Sequence, residues 1–375
     1  MCKIVVLGQA QQLAEALGTQ FGHVTVLIND NAFIRNKDEM ISNERVTYKK
    51  YAAKNVIQEI LILRNLLNNM SPDVIYINGF RHLWIVGFLV REPGLLPRKP
   101  ILLVTSHNSW AWQKASKRYM MALLCKLFAD GIFPLASFQE NWLIKLGISP
   151  LRMRMIPNAV DINQFSPEGT RDFFIDISPE NTNPPIIVNV ANIHQTKGQD
   201  VLIKAICLVK KEICNIRLVL IGNNSPNSPY DKYLNELIAE FDLETNVVIL
   251  GNIDHIQIPR VLRSSDIVTI SSWNEVCPNI LLESFSVGKV AISTAVGGIP
   301  DIINNEINGF LVDPGHVEGF ADCIFKVLNN PSLKISIEKK ARISAIDNFS
   351  YDVIGREHKD FLTSINQHKN YSVFN

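Results

Sequence analysis

Two glutamates stand eight residues apart in Ser271-Ser272-Trp273-Asn274-Glu275-Val276-Cys277-Pro278-Asn279-Ile280-Leu281-Leu282-Glu283-Ser284. Pro278 suits the first turn of a helix, where its missing N–H would be unpaired anyway. The pattern therefore predicts a helix from about Cys277 to Pro278 that carries Glu283, with Glu275 in the loop before it. The loop follows the β-branched run Ile267 to Ile270. A helix N-terminus placed just after a strand offers backbone N–H groups and the positive end of a dipole, which is an anion site. Alone, glutamates at this spacing fit a solvated helix face equally well. The downstream Gly297-Gly298-Ile299-Pro300-Asp301 and Asn308-Gly309-Phe310-Leu311-Val312-Asp313-Pro314 shift the weighing, because their glycines permit positive φ and close backbone approach.

Other chemistries lose ground. The chain has no G-x-x-x-x-G-K-[ST] loop, G-x-G-x-x-G fingerprint, H-E-x-x-H or G-x-S-x-G elbow. It also lacks a D-x-D carboxylate pair of the kind that holds a metal on a nucleotide diphosphate, which favours metal-independent handling of phosphate. Six scattered cysteines form no C-x-x-C pair and read as reduced packing residues.

The elements that must position these residues form a β/α rhythm. Lys3 to Leu7 reads as a strand, a helical stretch follows with Leu13, Leu17 and Phe21 on one face, and Val24 to Ile28 is the next strand. Val56 to Met70 is an amphipathic helix, and Val74 to Ile77 and Ile101 to Thr105 are buried strands. A stretch rich in proline and asparagine, from Phe165 to Pro185, reads as a linker. Beyond it, strands at Ile186–Val190, Arg217–Ile221, Val247–Leu250, Ile267–Ile270 and Val290–Ser293 alternate with helices such as Asp200–Lys211 and Tyr230–Glu240. With 375 residues, 47% hydrophobic and 19% charged, the expectation is an α/β protein of two doubly wound parallel-sheet domains facing a cleft. Such sheets bind ligands outside the carboxyl ends of their strands, which gives weight to Gly8, His107, Asn192, Gly251 and Ser271.

On these residues the sequence resembles the retaining glycosyltransferases of family 4, built on the two-Rossmann GT-B architecture. The resemblance rests on Ile156-Pro157-Asn158-Ala159-Val160-Asp161 with Phe165 and Pro167, Lys197-Gly198, Leu250-Gly251, the Glu275/Glu283 pair, and Gly297-Gly298 with Asn308-Gly309-Phe310. It implies transfer of a sugar from a nucleoside-diphosphate sugar to a saccharide or lipid-linked acceptor, without cofactor or metal. It implies catalytic roles for Glu275, His107 and Lys197: Glu275 beside the donor sugar, His107 meeting donor and acceptor, and Lys197 neutralising the diphosphate. Glu283 would bind the ribose, and Asn192, Gly251, Pro278, Asn279 and Ile280 would line the donor site. Gly8, Gln9 and Trp110 would lie on the acceptor side. The family usually has arginine where this chain has Asn192, five residues before Lys197; His194 is a candidate for the missing cation. The domains implied are residues 1–165, with a C-terminal helix at about 352–375 packing back on them, a linker at 166–185, and a nucleotide-sugar domain at 186–351. A non-catalytic nucleotide-sugar-binding protein and a GT-B sugar-nucleotide epimerase are the alternatives.

The net charge of +1 hides an asymmetry. Residues 1–165 carry 19 basic and 11 acidic side chains, net +8, whereas the remainder carries 18 and 25, net −7. With the aromatic and basic segment Trp110, Trp112, Lys114, Lys117, Arg118, Tyr119 and Lys126, this makes an anionic membrane surface a candidate partner. No basic repeat or zinc module points to nucleic acid. Neither a secretory signal nor a spanning segment is read, so the expected location is cytoplasmic, with the inner face of the membrane as a place of work.

Overall fold

The computed structural model describes residues 2–8, 11–29, 42–78, 82–96, 99–106, 115–174, 184–225 and 228–369. The chain divides into two compact units, residues 1–159 with 350–375, and residues 160–349.

The first unit is a six-stranded parallel sheet formed by β1 (Ile4–Leu7), β2 (Val24–Asn29), β3 (Val46–Tyr51), β4 (Val74–Asn78), β5 (Ile101–Ser106) and β6 (Gly131–Pro134), in the order β3-β2-β1-β4-β5-β6. Both faces of a parallel sheet are covered by helices, so its inner strands read as unbroken apolar runs; the inner β1 is buried at every residue, and so is β6 at one edge. The edge strand β3 shows Lys49 and Lys50 to solvent, which masked it in the sequence. The helices α2 (Val56–Met70), α3 (Leu83–Arg91) and α4 (Ala115–Phe128) cover one face of the sheet. The other is covered by α1 (Gln11–Phe21) and by the last helix of the chain, Tyr351–Lys369, which buries Ile354, Phe361, Leu362 and Ile365 there. Gly355 lets this last helix meet α1 closely: a Cβ on it would lie 2.2 Å from the Ala16 carbonyl oxygen.

The helix α5 (Ser137–Lys145) ends the first run of the first unit. The second unit contains β7 (Ile186–Val190), α6 (Gln199–Lys210), β8 (Arg217–Ile221), α7 (Pro229–Glu240), β9 (Val247–Gly251), α8 (Ile258–Arg263), β10 (Ile267–Ile270), α9 (Asn279–Val287), β11 (Val290–Thr294), β12 (Phe310–Val312), α10 (Val317–Leu328) and α11 (Pro331–Phe349); α12 is the returning Tyr351–Lys369. Its sheet order, β12-β11-β10-β7-β8-β9, has the same topology as the first. The three-residue β12 falls inside the stretch 308–314, which the sequence reading did not assign to a strand. Each of Val201, Leu202, Ile203, Ile206 and Val209 on α6 is buried, worth about 1.5–3 kcal/mol per large aliphatic side chain.

Phe165 belongs to the second unit. It is buried, its carbonyl accepts from Ser286 Oγ at 2.8 Å, and its ring centroid lies 5.7 Å from that of His255. The stretch after it, which reads as a linker, is strapped to α8 as far as it is described. Arg263 holds the carbonyls of Ser166 and Thr170, Arg260 Nε pairs with Asp172 at 2.7 Å, and the Phe173 N–H donates to Ser264 Oγ at 3.1 Å.

Candidate functional site

In each sheet the connections leave in opposite directions from two adjacent central strands, and ligands bind at the carboxyl ends beside that point. In the second unit those strands are β7 and β10. The residues after β7 lead to Lys197, and those after β10 lead to Glu275.

The structure brings these two together. Lys197 Nζ lies 2.6 Å from Glu275 Oε1, with the side chains 28% and 15% exposed. Ser272 Oγ donates to the same oxygen at 2.8 Å. Among the described residues no partner meets Oε2. The loop backbones are locked to each other: Trp273 N–H donates to the Thr196 carbonyl at 2.9 Å, and Ser271 Oγ to the Lys197 carbonyl at 2.7 Å. Gly198 has φ +62°, and a Cβ there would sit 2.3 Å from the Ser271 carbonyl oxygen. Gly297, at φ +58°, would put a Cβ 1.6 Å from the Glu275 carbonyl oxygen. The glycines singled out by sequence thus fix the path of the backbone that presents Glu275.

Pro278 is the N-cap of α9, with φ −70° and ψ 124°, and Asn279 is the first helical residue. The expected helix start is therefore corrected by one to two residues. Proline fixes φ but leaves ψ free, so it serves as well in the extended cap position. Asn279 and Ile280 make the first turn of α9 and Glu283 its second. Glu283 is buried and does not join Glu275; its Oε1 lies 3.1 Å from His255 Nε2. The sequence reading missed His255, although it stands just beyond the carboxyl end of β9, where such sheets place their ligands. Gly251 closes β9 with φ +75° and accepts from the Gly222 N–H at 2.8 Å.

Asn192 is exposed just after β7, and its carbonyl accepts from Gln199 Nε2 at 3.0 Å. His194 Nδ1 lies 3.2 Å from the Thr196 backbone nitrogen and 2.8 Å from Thr196 Oγ1, so the ring caps the turn Gln195–Lys197. Lys197 is the side chain of this loop that meets Glu275.

In the first unit, Gly8 follows β1 at φ +104°, and a Cβ there would lie 3.2 Å from the Asn78 carbonyl oxygen. Gln9, His107 and Trp110 lie outside the described residues. A buried polar cluster that sequence reading did not find occupies the carboxyl edge of this sheet. Glu59 Oε1 is met by Asn29 Nδ2 at 3.0 Å, Tyr51 Oη at 3.1 Å and His82 Nε2 at 3.2 Å.

Two Rossmann-type parallel sheets of this order, the second bearing a cation, a carboxylate and a helix N-terminus at its switch point, define a GT-B glycosyltransferase. The chain belongs to that fold's family 4: residues 9–164 match the family Glycosyltransferase Family 4, and residues 170–344 match Glycosyl transferases group 1. It is 28% identical over 209 residues to a phosphatidylinositol N-acetylglucosaminyltransferase subunit of Arabidopsis thaliana, covering 55% of this chain and 44% of that protein. It is 27% identical over 269 residues to the GPI3 subunit of phosphatidylinositol N-acetylglucosaminyltransferase of Saccharomyces cerevisiae (strain YJM789), covering 70% and 57%. The chain spans about half the length of the curated relatives it matches. Anabaena HepE, solved with UDP and glucose, superimposes with a TM-score of 0.80 at 19% identity over 97% of this chain and 100% of its own. A glycosyltransferase from Rickettsia africae ESF-5 gives a TM-score of 0.80 at 20% identity over 99% and 100%. At those identities the likeness is one of fold.

Proposed function

We propose that the protein is a retaining, metal-independent glycosyltransferase that moves a sugar from a nucleoside-diphosphate sugar to a saccharide or lipid-linked acceptor. The observation that carries the reading is the Lys197–Glu275 pair at the switch point of the second sheet, 2.6 Å apart. A departing nucleoside diphosphate gains negative charge, and a fixed lysine beside a helix N-terminus stabilises that charge without reorganising. Lys197 and the first turn of α9 supply both. When Lys197 turns to the diphosphate, Glu275 is released to accept hydrogen bonds from sugar hydroxyls, still oriented by Ser272. Glu283, held by His255 at 3.1 Å, accepts from a ribose hydroxyl in this reading. Transfer with retention follows a front-side displacement, in which the acceptor hydroxyl gives its proton to the leaving phosphate oxygen as the new glycosidic bond forms. UDP in HepE and the N-acetylglucosaminyl relatives make UDP-N-acetylglucosamine the first donor to try.

The rival reading is a nucleotide-sugar binder without turnover, favoured by the neutral Asn192 and the capping role of His194. A panel of UDP-, GDP-, ADP- and dTDP-sugars in EDTA, read for both stabilisation and transfer, separates the readings. At 100 times its dissociation constant the true donor should stabilise the wild type by about 2.7 kcal/mol, and Lys197→Ala should lose that effect. Transfer that survives Glu275→Ala refutes the assigned site. Donor binding with no transfer to any acceptor favours the rival.

A membrane-linked acceptor is supported by the first unit. On the sheet face covered by α2, α3 and α4, Ile57, Leu61, Trp84, Phe88, Tyr119, Met120, Leu123 and Leu127 are exposed. Lys117 and Lys126 lie on α4 among them. An apolar, positively charged face suits peripheral contact with an anionic bilayer. Among the described residues no helix is long and apolar enough to cross a membrane.

A further inference from the structure

The second unit has a cavity of about 560 Å³ at the opposite end of its sheet from the switch-point loops, where β7, β10 and β11 begin. Among the described residues, six basic side chains line it, Arg171, Arg263, Lys289, Lys334, Lys339 and Arg342, with two carboxylates, Asp266 and Glu338. This is a basic concentration within the net-acidic portion of the chain, so composition does not explain it.

Part of that charge does structural work. Lys289 Nζ donates to the carbonyls of Arg263 at 2.9 Å and Ser265 at 2.7 Å, where α8 ends. Arg342 holds the carbonyls of Ser286 and Ile162, and Arg263 those of Ser166 and Thr170. Carbonyls satisfy the N–H groups but cancel no net charge. Among the described residues one full ion pair relieves the cluster, Lys334 Nζ to Asp266 Oδ1 at 2.6 Å. Arg171 and Lys339 are exposed and make no hydrogen bond or ion pair among the described residues.

Burial and neighbouring like charge act together on these groups. Burial lowers Lys289 to about 8, with Arg171 and Lys334 pushing the same way against Glu338 and Asp266. Burial also lowers Arg263, with Arg171 adding to it, and Arg342. Burial raises Glu338, against Lys334, Lys289 and Arg171, which lower it. An anion entering the cavity would meet cations already gathered and in need of a counter-charge. The volume lies within the range of about 300–1,000 Å³ typical of small-molecule sites.

We propose that this cavity binds a multiply charged phosphoryl ligand, at a site separate from the Lys197–Glu275 loops. The test is calorimetric titration of inorganic pyrophosphate into the full chain in EDTA, for the wild type, Lys197→Ala, and Arg171→Glu combined with Lys339→Glu. Both substituted cavity positions are exposed and unbonded, so the double variant keeps the fold, which its unfolding transition checks. Lys197→Ala should retain pyrophosphate binding in the cavity. The double variant should lose that event, with affinity falling about tenfold or more, as is common when charges facing a ligand are reversed. The milder Arg171→Ala should weaken it by about threefold on the same reasoning. Pyrophosphate binding that disappears with Lys197→Ala and is unchanged in the double variant overturns the proposal while leaving the donor site intact. No binding by the wild type also overturns it. Inositol trisphosphate in solution and vesicles containing phosphatidylinositol bisphosphate then distinguish the sources. Soluble binding without flotation identifies a free metabolite, and flotation lost in the double variant identifies a lipid head group.

Discussion

The shared oxygen of Glu275 makes a double-mutant cycle informative. Lys197→Ala leaves Glu275, 15% exposed, with only the Ser272 hydroxyl. Losing a charge-assisted bond of about 1.5–3 kcal/mol, discounted because Lys197 is itself 28% exposed, should cost the second unit about 1–2 kcal/mol. Glu275→Gln keeps the shape and the Ser272 contact but removes the charge, and should cost about 1 kcal/mol. Since both variants break one bond, the double variant should be more stable than additivity predicts by about 1 kcal/mol. Differential scanning fluorimetry resolves this, at about 2–4 °C per kcal/mol for a unit of this size. Binding of bare nucleoside diphosphate gives an independent reading. Lys197→Ala should weaken it by about 10- to 100-fold, one to two decades for about 1.5–3 kcal/mol. Glu275→Gln frees Lys197 from its competitor, so it should bind the diphosphate as well as or better than the wild type while losing sugar transfer. Strict additivity in stability, or a diphosphate affinity that falls as far with Glu275→Gln as with Lys197→Ala, refutes the assignment.

His358 packs against Phe133, with ring centroids 4.4 Å apart, and burial, aided by Arg154, brings its pKa down to about 3. In the unfolded chain its pKa is ordinary, about 6.5, so below that pH only the unfolded state takes the proton. The first unit should therefore keep this stability above about pH 6.5 and lose about 1.4 kcal/mol per unit as pH falls toward 3; urea unfolding at several pH values measures it, and an unchanged slope in His358→Phe would contradict it. Gly297→Ala should abolish transfer and destabilise strongly, because its Cβ would fall 1.6 Å from a backbone oxygen. Gly94→Ala, with φ +80° and open space around it, should cost only the left-handed penalty of about 1–2 kcal/mol; equal effects in thermal unfolding would show that the Gly297 contact relaxes. Replacing both Leu123 and Leu127 with glutamate should abolish flotation with anionic vesicles and leave donor binding unchanged.

The strands were legible because a parallel sheet covered on both faces demands continuous apolar runs, which Ile4–Leu7, Val74–Asn78 and Ile267–Ile270 display. The edge strand Val46–Tyr51 was not, since its exposed lysines interrupt the pattern, and three-residue β12 is too short to carry one. At the site, Lys197, Glu275 and Glu283 were legible by type and place, but their partners were not. The contact between Glu283 and His255 spans 28 positions, and it exists only because β9 ends and α9 begins on the same side of the sheet. The cluster on Glu59 draws single residues from β2, β3, α2 and the cap of α3, so no local spacing announces it. His194 was a candidate cation by position, and its capping of the turn Gln195–Lys197 depends on a ring orientation that spacing does not announce.

Gly198 and Gly297 press against opposite backbone segments of the loop from Ser271 to Glu275, like two fingers holding a card by its edges. This makes the loop a fixed mould in evolutionary terms. Drift at either glycine is closed off by backbone that has nowhere to go, while a side chain such as Asn274 carries no such constraint. Diversification of donor preference, natural or engineered, is thereby channelled into side-chain exchange on a constant backbone. Libraries that insert or delete residues in this loop should return almost entirely inactive protein, and substitutions within it should yield the useful variants.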